Sequence, residues 1–98
     1  MDVPKNIVKL ANLKALPAAP GIYMVRDRAQ RVVYIGQSKN IRSRWLHGHH
    51  KLSEIVTLCG TDFSIECCLV SPWLLNRAEN AAHGVYKPLL NAKTPPLV

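Results

Sequence analysis

Acidic residues are scarce in this sequence. Six Asp and Glu stand against 13 Lys and Arg, a formal charge of +7 over 98 residues. That balance excludes an acidic tail or a cation-buffering role. It points to an anionic partner: nucleic acid, a membrane surface or a phosphorylated ligand. Long apolar runs are also missing. No stretch approaches the roughly 18 apolar residues that signal a membrane span. The first ten residues, broken by Asp2, Lys5 and Lys9, lack the apolar core of a secretory signal. Cysteine is limited to Cys59, Cys67 and Cys68, an odd number without C-x-x-C spacing. A disulfide framework and a cysteine-ligated zinc site are thereby disfavoured. These absences lead us to expect a cytoplasmic, intracellular protein with reduced thiols and no membrane partner. The length predicts one domain, 1–98, with a core at about 16–92 and a loose tail at 93–98.

What is present is concentrated. Hydrophobic residues make up 48% of the chain, enough for a globular core. Between Arg26 and Lys51 lie seven basic residues, Arg26, Arg28, Arg31, Lys39, Arg42, Arg44 and Lys51, and one acid, Asp27. The positive charge is therefore local, and a site for an anion is expected around this stretch. A solvated charged face is the plainer reading of the same residues.

Residues 5–16 read as a short helix, followed by an extended approach set by Pro17 and Pro20. Gly21–Arg26 and Arg31–Gly36 are short apolar runs rich in β-formers. The polar Asp27-Arg28-Ala29-Gln30 between them predicts an antiparallel hairpin. Asn40 suits a helix N-cap, with Ile41, Trp45 and Leu46 on one face and an end near Gly48. Residues 51–59 are compatible with further helical turns, and Asp62–Val70 reads as a third strand. Ser71-Pro72 starts a helix that runs through Leu74, Leu75, Ala78, Ala82 and Val85 and stops near Pro88. The expected fold is α+β: a small three-stranded antiparallel sheet flanked by helices, in the order (α)ββαβα.

Several residues suit phosphodiester chemistry, which needs an activated water, charge stabilisation on the phosphate and help for the leaving oxygen. Tyr23 and Tyr34 lie on adjacent strands and can converge if the register allows. Their ordinary pKa of about 10 means that a cation or metal-bound water must favour deprotonation. Arg44, in the first turns of the following helix, can grip a phosphate with two hydrogen bonds. Glu79 lies among Leu75, Ala82, His83 and Tyr86 on its helix. A carboxylate at the edge of a buried face needs a partner, for which a divalent cation is suitable. Taken singly, Tyr23 and Tyr34 read equally as a cross-strand aromatic pair, and Arg44 as a solvated arginine.

The set as a whole is more specific. Gly21-Ile22-Tyr23 on the first strand and Tyr34-Ile35-Gly36 on the second are followed by Asn40 at a helix start and Arg44 within it. Glu79 comes later, then Pro88-Leu89-Leu90-Asn91. This resembles the GIY-YIG nuclease superfamily over about residues 16–92, as a single-domain, stand-alone member. The resemblance implies a metal-dependent endonuclease that hydrolyses DNA by a one-metal mechanism, with Mg²⁺ or Mn²⁺ as cofactor. In that picture Tyr23 or Tyr34 helps activate water, Arg44 stabilises charge on the phosphate, and Glu79 holds the metal. Asn91 matches the family's late Asn.

Two features differ from many members: Gln37 stands where a Lys is common, and Gly48 sits four residues after Arg44, where some have a His. His47, His49 and His50 surround that glycine, and His47 or His49 is a candidate for proton transfer or a phosphate contact. Arg26, Arg28, Arg31, Lys39, Arg42 and Lys51 form the expected nucleic-acid-binding collar. DNA is the expected partner, with RNA left open. Specificity is expected from DNA shape, a homodimer or a separate DNA-targeting partner. An alternative is a non-catalytic nucleic-acid-binding module on the same fold, and a third reading is a structural subunit that docks through residues 88–98.

Overall fold

The computed structural model describes residues 6–88 and Leu90, with Asn6 known by its backbone alone. Asn91 and the expected tail at 93–98 lie outside the described residues. The fold is α+β, as expected, but among the described residues its sheet has four antiparallel strands and not three. They are β1 (Asn6–Lys9), β2 (Gly21–Arg26), β3 (Val32–Ser38) and β4 (Ser64–Leu69), in spatial order β1-β4-β2-β3. The helices are α1 (Ile41–Leu46), α2 (Leu52–Cys59) and α3 (Leu75–Tyr86).

The extra strand corrects the expected helix at 5–16. Residues 6–9 pair with β4, Val8 opposite Ile65, and two 3₁₀ turns meeting at Asn12 occupy Leu10–Ala15. The short apolar run was compatible with helix. Pairing with β4 covers an open sheet edge and buries Val8, which a helix of this length could not do as well.

The β2–β3 hairpin forms as its turn chemistry predicts. The Gln30 amide donates to the Asp27 carbonyl, and Gln30 takes a left-handed φ of 68°. The left-handed residue closes the turn, and a separate register shift at Val25/Arg26 leaves Val33 without a partner in the β2–β3 pairing. Asn40 caps α1, its side-chain oxygen accepting from the Ser43 amide at 3.0 Å. Pro72 opens a 3₁₀ turn, Pro72–Leu74, that leads into α3, although the Ser71 side chain makes no cap bond.

The sheet buries both faces. On one, Tyr23, Val25, Tyr34, Ile65 and Cys67 pack with Leu16, Ile41, Trp45, Ile55 and Phe63. On the other, Ile22, Met24, Val32 and Ile35 meet Ala82 and Ala78 of α3. Adjacent Cys67 and Cys68 point to opposite faces, one buried and one exposed. No helix among the described residues is long and apolar enough to cross a membrane.

Candidate active site

The hairpin register brings the tyrosines together. Tyr23 lies opposite Gly36 and Tyr34 opposite Val25, so the two phenols are diagonal neighbours on one face. Their ring centroids are 6.3 Å apart. The Tyr23 ring crosses the bare backbone of Gly36, where an added Cβ would come 2.5 Å from the phenol oxygen. Gly36 is therefore required by close approach.

Beyond α1, Gly48 takes a φ of 90°, and the chain turns so that the next residue enters the core. His49 is buried, stacked on Trp45 at 4.4 Å between centroids, and edge-on to both tyrosines at 5.4 and 5.3 Å. Its Nδ1 accepts a hydrogen bond from the Lys51 amide at 3.0 Å. Burial, aided by the nearby His50, Arg44 and Lys51 charges, pushes its pKa down to about 4. The ring is thus neutral near pH 7, and with Nδ1 occupied as an acceptor its one proton sits on Nε2. That Nε2–H donates to the Tyr23 oxygen, 2.6 Å away. His49 therefore holds Tyr23 in place and leaves the phenol's own proton to point elsewhere. His47 instead contacts the Ser43 hydroxyl at 3.0 Å, and His50 stacks on His49 from the exposed side.

Burial is the main cause that raises the pKa of both phenols. The Glu79 carboxylate raises them further, while the Arg44 guanidinium acts in the opposite sense on each. These couplings bring Tyr23, Tyr34, Arg44 and Glu79 into one electrostatic group. Glu79 itself is buried, and burial raises its pKa, while the His83 ring and the Gln37 amide pull it down. His83 Nε2 approaches Glu79 at 3.4 Å without a hydrogen-bond partner of its own. The Gln37 amide also donates to Asn76 Oδ1. Of these neighbours, Gln37 stands out in the sequence only as a departure from the family's common Lys, and Asn76 and His83 are not among the expected site residues. Only His83 carried a local signal, its place four residues after Glu79 on α3.

Arg44, Lys39, Asn40, Ser43, His47 and Gln37 line an open cleft of about 640 Å³. Among the described residues Arg44 and Lys39 make no ion pair. The rest of the expected collar is placed differently. Arg26 pairs with Glu66 and Arg28 with Asp62, each at 3.0 Å, and Arg31 pairs with Asp27 at 2.9 Å. Arg42 donates to the Leu16 carbonyl at 2.7 Å, and Lys51 contacts Glu54 at 3.4 Å. None of these five lines the cleft.

The donor set suits a hard divalent ion. Glu79 is a buried carboxylate that makes no ion pair with Lys or Arg among the described residues, and Mg²⁺ takes one or two carboxylates while keeping several waters. The clustered His, Cys, Asp and Glu ligands that Zn²⁺ takes are not found, since no group of three occurs among the described residues.

Comparison with known proteins agrees with this geometry. The GIY-YIG catalytic domain model matches residues 19–67, half of the chain. The UvrABC system protein C of Trichormus variabilis is 37% identical over 60 residues, covering 57% of this chain and 10% of that protein. The protein of the same name from Synechococcus elongatus is 56% identical over 34 residues, covering 35% of this chain and 5% of its own. The chain spans a tenth or less of the length of these relatives. The domain match ends before α3, so Glu79 lies outside it. Together the match, the paired tyrosines on their hairpin and Arg44 on the following helix establish that this chain belongs to the GIY-YIG nuclease superfamily.

Proposed function

We propose that the domain hydrolyses DNA phosphodiester bonds as a metal-dependent endonuclease. The observation that carries this reading is the adjacency of Tyr23 and Tyr34, both coupled electrostatically to Glu79 and to Arg44, which lines a basic cleft. Arg44, without a carboxylate partner among the described residues, is suited to the non-bridging phosphate oxygens. The Tyr23 oxygen is engaged by His49, whereas the Tyr34 oxygen makes no hydrogen bond among the described residues. This supports Tyr34 as the phenol that takes a proton from the attacking water, with Arg44 lowering the cost of its deprotonation. Tyr23, fixed by His49, is then the donor that orients the water or the phosphate. Glu79 would hold Mg²⁺ or Mn²⁺, which when bound polarises the phosphate and stabilises the leaving oxygen.

The test is nicking of supercoiled plasmid. Activity should require Mg²⁺ or Mn²⁺, and Glu79→Gln should lower it by roughly a hundredfold or more. Activity of the variant equal to that of the parent overturns the assignment. A second reading, a non-catalytic nucleic-acid-binding module, is favoured by one observation. Glu79 already has the Gln37 amide and His83 beside it, which partly meet the need for a cation. Salt-sensitive DNA binding without cleavage of any DNA structure would establish that reading.

A further inference from the structure

Trp73 is 81% exposed, the most exposed large apolar side chain among the described residues. Its position is defined by the 3₁₀ turn Pro72–Leu74, which Pro72 opens and which the Leu74 amide closes on the Ser71 carbonyl at 2.9 Å. The indole lines a second cleft, of about 310 Å³, with Lys39, Arg77, Asn76 and Gln37. Lys39, Gln37 and Leu75 line both this cleft and the one holding Arg44, so the two are continuous. Lys39 and Arg77 make no ion pair among the described residues, whereas Arg26, Arg28 and Arg31 are each neutralised by a carboxylate. Three cations without an ion pair among the described residues, Arg44, Lys39 and Arg77, thus line the joined clefts beside an exposed aromatic ring, whereas Lys14, Arg42 and Lys87, also without one, line neither.

Cations that track phosphates beside a ring that stacks on bases are the recurring chemistry of single-stranded nucleic-acid grooves. A regular duplex keeps its base faces stacked and covered, so an indole beside the backbone path can stack only on a base that has left the helix. We propose that the groove formed by Trp73, Lys39 and Arg77 binds an unpaired stretch of the DNA strand next to the scissile phosphate, with Trp73 stacked on one base. This deepens the endonuclease reading and rests on it for the location of that phosphate. It makes the substrate a DNA that is gapped, bulged or frayed beside the cut.

The experiment is binding of labelled oligonucleotides to the full chain in EDTA, comparing gapped with uninterrupted duplex. Trp73→Ala should weaken binding to gapped DNA by about tenfold, with a smaller loss on uninterrupted duplex. Trp73→Phe should recover most of the affinity. Gapped DNA should quench the indole emission of the parent protein, a signal that Trp73→Ala removes because the other tryptophan, Trp45, is only 2% exposed. Thermal melting of both variants checks that they are folded. Equal losses on the two DNA forms, or none, overturn the proposal. Loss of self-association in Trp73→Ala with DNA affinity intact also overturns it, by making a second copy of the chain the occupant. Trp73-dependent binding of gapped DNA without metal-dependent nicking would uphold the groove and overturn the endonuclease reading.

Discussion

His49→Gln separates the hydrogen-bonding role of this residue from its titration. A glutamine amide reaches about as far as Nε2 and can donate to the Tyr23 oxygen, but it carries no titratable proton. In the parent, the His49 pKa falls from 6.5 to about 4 on folding, chiefly because the ring is desolvated. Between these values the unfolded chain binds a proton that the folded protein excludes. Stability therefore rises with pH across the window: the contribution is fully present above about 6.5 and lost as pH falls to about 4. At about 1.4 kcal/mol per pH unit, this amounts to about 3 kcal/mol, a large part of the roughly 5–15 kcal/mol that stabilises a domain. The variant should start about 1 kcal/mol less stable at pH 7, having lost the ring stacked on Trp45. It should then be spared the loss on acidification. Urea unfolding followed by circular dichroism from pH 7 to 4 should give curves that cross, with the variant the more stable at the acidic end. The difference between the two curves cancels the other titrating groups. Parallel curves would refute the neutral, proton-excluding His49 and with it the assignment of its Nε2–H as donor to Tyr23.

Two further outcomes follow from the geometry. Gly36→Ala places a Cβ 2.5 Å from the Tyr23 oxygen. It should cost about 1–3 kcal/mol of stability in urea unfolding, and nicking should fall more steeply than in a hairpin-tip variant such as Ala29→Ser. Lys39→Ala should lower the slope of log affinity against log salt by about 0.9. Arg28→Ala should leave that slope nearly unchanged, since Arg28 pairs with Asp62 away from the cleft. Equal effects of the two substitutions in a salt titration of DNA binding would show that the ion pairs do not partition the collar.

The candidate site was legible in outline because its parts are locally encoded. Tyr23 and Tyr34 sit on strands whose turn chemistry alone predicts their pairing, and Asn40 marks the start of the helix that carries Arg44. The three histidines were not separable in the same way. Which of them enters the core depends on the turn at Gly48 and on the slot beside Trp45, and both exist only once α1 has docked on the sheet. The ion pairs within the expected basic collar were not legible for a related reason. Asp62 and Glu66 are distant in sequence from Arg28 and Arg26, and strand pairing alone brings them together.

The sequence by itself determined the hairpin, the Asn40 cap and the order of chemical groups along the chain. These depend on turn residues, side-chain periodicity and nearest-neighbour hydrogen bonds, which operate over a few residues. Tertiary structure decided the rest. It turned residues 6–9 into a fourth strand because β4 offered an open edge. It selected His49 by desolvation and stacking. It also left Arg44, Lys39 and Arg77 without carboxylate partners among the described residues, in the joined clefts with Trp73. Each of these depends on what lies across space, and burial and charge compensation are not properties of a local segment.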